Sequence, residues 1–275
     1  MRGFYLLGIL IKFVFTQHKT MKPFEFRSFS VEESKVYFSA VELDEKYQTV
    51  TNEFLKKLLK EFARLSMKSF RPRIGAANFA YMYSERRLDS VVLPALSNIC
   101  NGVVLTELPV VRKKSKRKVK SEHGRVDYWC IYKGYTFVIE MKGSRDRLDC
   151  PAVRENSIIK RWGTMIEQLL DIQETCEDLE ENTKGVIRLG LHFISSWSPA
   201  EPTQNEIEDY RTLALNNHIN TICNEIATRH RKPEYEPSFA ALWQIPEKMV
   251  LYYEDVTYPG VILVAKVFEP IANED

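Results

Sequence analysis

Asp127, Glu140 and Lys142 are the residues of this 275-residue chain whose types and spacing could do chemistry. They lie in GRVDYWCIYKGYTFVIEMKG, residues 124–143, two apolar runs joined at Lys133-Gly134. A two-residue loop in which glycine supplies a positive φ predicts a β-hairpin there. That turn pairs Tyr132 with Tyr135, Trp129 with Val138 and Asp127 with Glu140. Strict alternation then puts Asp127, Trp129, Ile131, Val138, Glu140 and Lys142 on one face, with Tyr128, Cys130, Phe137, Ile139 and Met141 on the other. Both faces are otherwise apolar, the pattern of a sheet covered on both sides. Two carboxylates facing each other across buried strands repel, and the pair persists when one is protonated or a cation sits between them. Oxygen donors with room for water suit Mg²⁺ or Mn²⁺. Lys142, about 6.5 Å beyond Glu140 on the same face, is placed to meet an attacking water or a developing negative charge. Such a set hydrolyses a phosphate ester. An E-x-K triplet alone is common on solvated strands; the turn glycine, the opposed Asp127 and the in-phase Lys142 together carry the reading.

GRVD followed by VIEMKG resembles the core motif of the PD-(D/E)XK nuclease superfamily, with Val126 where a proline usually precedes the first aspartate. The resemblance covers roughly residues 78 to 200. It implies a restriction-endonuclease-like α/β core, a central mixed sheet flanked by helices on both faces. It also implies a divalent-metal-dependent nuclease, acting on DNA rather than RNA, with Mg²⁺ or Mn²⁺ as cofactor. Asp127 and Glu140 would be metal ligands, the Met141 carbonyl would complete the metal site, and Lys142 would position or activate the water. The superfamily often places an acid on the helix before the sheet. Glu85 stands at helical spacing with Leu88, Val92 and Ile99, on the face that meets the sheet. Some members carry a glutamine on the helix after the hairpin, a place that Gln168 takes here, beside Thr164 and Arg161. Lys160 and Arg161 are candidates for contacts with substrate phosphates. The alternative is a catalytically inactive nucleic-acid-binding or interaction module on the same fold.

The elements that must position these residues follow from periodicity. Residues 45–68 predict an amphipathic helix, a second helix runs from near Phe79 toward Cys100, and GVVLTELPVV predicts a strand. After the hairpin come a long helix from about Ala152 to Glu180, a strand in VIRLGLHFISS, a helix over 205–228 and a last strand in GVILVAKVF. Helices mixed with strands predict a sheet sandwiched by helices. Residues 1–74 are expected to form an N-terminal extension with its helix, and residues 75–275 one nuclease-like domain. The apolar stretch from Phe4 to Phe15, broken by Lys12, is too short to span a bilayer. Five scattered cysteines without a C-x-x-C pair argue against a zinc or disulfide framework. A cytoplasmic protein with no membrane partner is the expectation.

With a net charge of only +2, nucleic-acid affinity must come from local patches. The connector RKKSKRKVKSEHGR supplies one, with Lys113, Lys114, Lys116, Arg117 and Lys118 leading into the hairpin. If these side chains contact phosphates, neutralising three of the lysines should weaken binding to all sequences alike and flatten the salt dependence of the affinity. A binding titration at several salt concentrations checks this; an unchanged slope would mean that the connector faces solvent.

Overall fold

The computed structural model describes residues 24–68, 85–100, 102–112, 123–148, 150, 153, 155–174, 183–199, 207–246, 252–253 and 256–268. Among the described residues ten strands form one sheet: β1 (Arg27–Val31), β2 (Ser34–Phe38), β3 (Leu105–Arg112), β4 (His123–Tyr132), β5 (Tyr135–Arg147), β6 (Ile172–Glu174), β7 (Val186–Ser198), β8 (Phe239–Gln244), β9 (Tyr252–Tyr253) and β10 (Val256–Phe268). Their order is β1-β2-β8-β10-β7-β5-β4-β3-β6, with β9 paired to β10. The sheet is mixed. β5 and β7 run parallel and the remaining pairs are antiparallel. A parallel pair needs a crossover, and the helix α3 (Lys160–Leu170) lies on the connection from β5 to β7.

Helices cover both faces. On one, α1 (Glu45–Lys68) and α2 (Glu85–Ile99) bury Phe54, Leu58, Phe62, Leu88, Val92 and Leu96 against Tyr128, Phe137, Ile139 and Met141. On the other, α3 and α4 (Ile207–His230) bury Trp162, Ile166, Ile219 and Ile222 against Ile194, Leu242 and Val264. The hairpin turn is as expected. Lys133 and Gly134 both have positive φ, 52° and 82°, which matches the right-handed twist of the flanking strands. The ladder runs from Tyr132 opposite Tyr135 to Tyr128 opposite Ile139.

The N-terminal part is more than a helical addition. The hairpin β1–β2 extends the sheet through β8, and α1 belongs to the same core as β5 and β7. The expected boundary at residues 74 and 75 lies outside the described residues, as do residues 79–84 of the expected second helix. The helix after the hairpin is also shorter than its apolar pattern suggested. A π-helical turn, Glu155–Ile159, leads into α3, which ends at Leu170 because Ile172 turns back as β6 and buries against Leu108 and Val110. β6 thereby pairs an edge of β3 that would otherwise stay open. No helix among the described residues is long and apolar enough to cross a membrane.

Phe54 of α1 stacks on Phe137 with ring centroids 4.0 Å apart and meets Tyr132 edge-on at 5.5 Å. It joins α1 to the hairpin that carries the candidate site. Phe54→Ala should lower stability by about 3–5 kcal/mol, measured as a fall in the urea midpoint at constant slope.

Candidate functional site

The sheet opens where the candidate residues stand. Past Ile139 the regular β4–β5 ladder gives out, while β5 keeps pairing with β7 on its other edge as far as Arg147 opposite Trp197. Backbone groups of Met141 and Gly143 share the edge that β4 leaves, because alternate residues of a strand point the same way. Backbone polar groups left unpaired inside a protein are costly, and side chains take over here. Met141 N–H donates to Asp127 Oδ2 at 2.6 Å, and Gly143 N–H donates to Glu85 Oε2 at 3.1 Å. The Met141 carbonyl accepts from Lys142 Nζ at 3.0 Å, and the Gly143 carbonyl accepts from Arg161 Nη1.

Asp127 reaches that edge because alternation breaks at its position. Val126 packs with Leu108, Val110, Trp129 and Val138 in one cluster, so residues of opposite parity on β4 share a face. On the neighbouring strand the registered pairs Thr106–Tyr128 and Leu108–Val126 bracket Glu107, which has φ 56°. A left-handed glutamate is a strained backbone. Strict alternation, which set Asp127 squarely on the face of Trp129, is therefore corrected. The carboxylate accepts from the β5 backbone at Met141 and shares the Lys142 ammonium with Glu140. The Glu107 side chain itself pairs with Arg125 at 3.6 Å, both well exposed.

Three of the expected carboxylates converge on the ammonium of a fourth expected residue, Lys142. Lys142 Nζ lies 3.7 Å from Glu85 Oε1, 3.9 Å from Asp127 Oδ2 and 4.0 Å from Glu140 Oε2. Glu140 is buried, only 1% of its side chain being exposed. Glu85 stands in the first turn of α2. Asp89, one turn further on, accepts a hydrogen bond from the Tyr128 hydroxyl, which fastens the start of that helix to β4. Gly143 permits the approach: a Cβ there would meet Leu88 Cδ1 at 2.8 Å and the Glu85 Cα at 3.1 Å. Arg161 enters from the opposite layer, in the first turn of α3 just after the π-helical turn, with Nη1 3.7 Å from Glu85 Oε2. Gln168 is half-buried two turns along α3, beyond the groups that meet at Gly143. Lys113, Lys114, Lys116, Arg117 and Lys118 lie outside the described residues.

Charge and donor type fit a hard cation. Asp127, Glu140 and the Met141 carbonyl offer only oxygen, and three carboxylates outnumber the two cations, Lys142 and Arg161. Among the described residues no three His, Cys, Asp or Glu side chains close around a point as a finished ligand cage. Lys142 Nζ takes the central place.

His192, beside Lys142 in the parallel register, escaped the sequence reading. Only its periodicity as a polar residue inside an apolar strand marked it. The Ser144 hydroxyl donates to the Ser157 carbonyl, so its oxygen accepts from His192 Nε2 at 2.8 Å. Burial, then the Arg161 and Lys142 charges, push the imidazole from 6.5 down to about 3.

Comparison with known proteins finds no family model, no curated protein and no solved structure that matches the chain.

The depressed His192 has a signed consequence. Between about 3 and 6.5 the unfolded chain binds a proton at this residue that the folded chain refuses. Its contribution is therefore greatest above 6.5 and is lost as pH falls toward 3. In urea melts, stability should drop on acidification, and His192→Gln should make that drop shallower. Parallel pH profiles for the two proteins would discard the assignment.

Proposed function

We propose that the chain is a divalent-metal-dependent nuclease of the PD-(D/E)XK type, on a restriction-endonuclease-like core, acting on DNA rather than RNA in the cytoplasm. The observation that carries this reading is the meeting of Asp127, Glu140 and Glu85 around Lys142 at the open edge of β5. Asp127, Glu140 and the Met141 carbonyl would hold Mg²⁺ or Mn²⁺. When bound, the ion supplies Lewis acidity toward a phosphoryl oxygen and acidifies water.

The chain's own residues do the rest. Lys142, 14% exposed, presents a positive charge where water approaches the phosphorus and where negative charge builds on the phosphoryl oxygens. Its hydrogen bond to the Met141 carbonyl aims the ammonium along the β5 edge. Asp127 and Glu140 stand 3.9 and 4.0 Å from the ammonium, which acts as a donor and an electrostatic partner. Arg161, 46% exposed, stands on the solvent side and suits a phosphate oxygen. The basic connector, entering β4 directly, would track the strand backbone.

One observation favours the alternative, a nucleic-acid-binding module without cleavage: the Lys142 ammonium already takes the place among the carboxylates. Incubating the protein with linear, circular and single-stranded DNA, and with RNA, in Mg²⁺, Mn²⁺ or EDTA separates the two readings. Metal-dependent cleavage is expected, reduced by Lys142→Ala about 10²–10⁴-fold. Asp127→Asn should lose cleavage and metal affinity together, because a neutral amide holds Mg²⁺ poorly. Should the parent cleave nothing in any metal, or both variants cleave like the parent, the binding module takes the nuclease's place.

A further inference from the structure

The Glu85 carboxylate is the best-solvated anion at the site and also the one with the most donors. Gly143 N–H reaches Oε2 at 3.1 Å, Arg161 Nη1 stands 3.7 Å from the same oxygen, and Lys142 Nζ stands 3.7 Å from Oε1. The donors come from three places: the β5 backbone, the β5 side chain and the first turn of α3. They converge on one small anion, 34% exposed, at an edge where β5 has no neighbouring strand among the described residues. A planar guanidinium, an ammonium and a backbone N–H aimed at one point are the equipment of a phosphate site. Gly143 is the closest point of that cradle, since a side chain there would run into the Glu85 backbone. Burial first, and then the Arg161 and Lys142 charges, disfavour a positive charge on neighbouring His192.

We infer that Lys142, Arg161 and the Gly143 N–H form an anion site for a phosphoryl group, and that Glu85 occupies it as an internal mimic until a phosphate displaces it. Glu85 is then a gate ahead of the chemistry. As a fixed member of a metal cage, it would have to leave both cations bare. Displacement trades one anion for another, so the two cations stay paired throughout and no buried charge is exposed. The competition also selects: a phosphate dianion or a phosphodiester backed by neighbouring contacts outbids a tethered carboxylate, whereas a lone monoanion does not. The inference rests on the nuclease reading only in taking the anion to be a phosphate of nucleic acid.

The test is binding in EDTA, without metal and without turnover. Inorganic phosphate and a short single-stranded DNA oligonucleotide are titrated into the parent, Glu85→Gln, and Glu85→Gln combined with Arg161→Ala. Glutamine keeps the carbonyl oxygen that accepts from Gly143 N–H and removes the competing charge, and the thermal midpoint verifies that each variant is folded. Glu85→Gln should tighten both ligands about tenfold, the scale of one removed competing charge at this distance, and the added Arg161→Ala should cancel the gain. Unchanged or weaker binding by Glu85→Gln would overturn the inference, and so would a gain that survives loss of Arg161. Cleavage assays report separately on the nuclease reading: a parent that never cleaves leaves the anion site standing, while a cleaving parent with a weaker-binding Glu85→Gln removes only the gate.

Discussion

Everything at this site depends on the four backbone groups that β5 exposes where β4 leaves it. A strand in the middle of a covered sheet cannot leave N–H and C=O groups of Met141 and Gly143 without partners. Asp127, Lys142, Glu85 and Arg161 supply those partners one by one. The charged residues are therefore held by the sheet's own hydrogen-bonding need. Their long side chains keep fixed directions without an apolar wall on every side. The two layers of helices are joined by the same device, since Gly143 takes α2 through its N–H and α3 through its carbonyl.

This construction explains how strain and function sit together. Glu107 adopts a left-handed backbone next to the point where β4 shifts phase, an arrangement that costs energy and recurs at sites that must aim a side chain. The π-helical turn before α3 works in the same direction, widening the helix entry so that Arg161 arrives at Gly143 while Ile158 and Ile159 stay in the core. Glu107 and the π-helical turn both lie toward the Met141–Gly143 end of β5. The opposite end, at the Lys133-Gly134 turn, is regular.

Much of this was legible in the sequence. The turn, the pairing of Trp129 with Val138, the helix over 45–68 and the polar triplet on an apolar hairpin all follow from period and turn chemistry. Glu85 was placed by helical spacing, and the structure brings it to Lys142. Other parts had no local signal. The phase shift at Asp127 arises from a neighbouring strand, and nothing in RVDYW distinguishes it from strict alternation. The early end of α3 depends on an edge of β3 that periodicity within 152–180 does not contain. β8, in FAALWQ, is a short apolar run that only its partners β2 and β10 make a strand, and the β1–β2 hairpin lacks the Gly or Asn at its turn that would have announced it. His192 was invisible because its role is to be a neutral neighbour of two charges that lie far away in sequence.

The anchoring of α1 also sets how the molecule can be cut. Tyr132 donates to Glu53, which also pairs with Lys133, so the tip of the β4–β5 hairpin is tied to a helix that precedes it by some eighty positions in the chain. That helix covers Phe137 and Phe193 with its aromatic side chains. A fragment trimmed to begin after α1 would bare this surface and free the hairpin tip, and such apolar faces promote association. The minimal unit that behaves as this protein therefore includes α1, well upstream of the β4–β5 hairpin, and libraries or fusions designed around the hairpin alone would sample a different molecule.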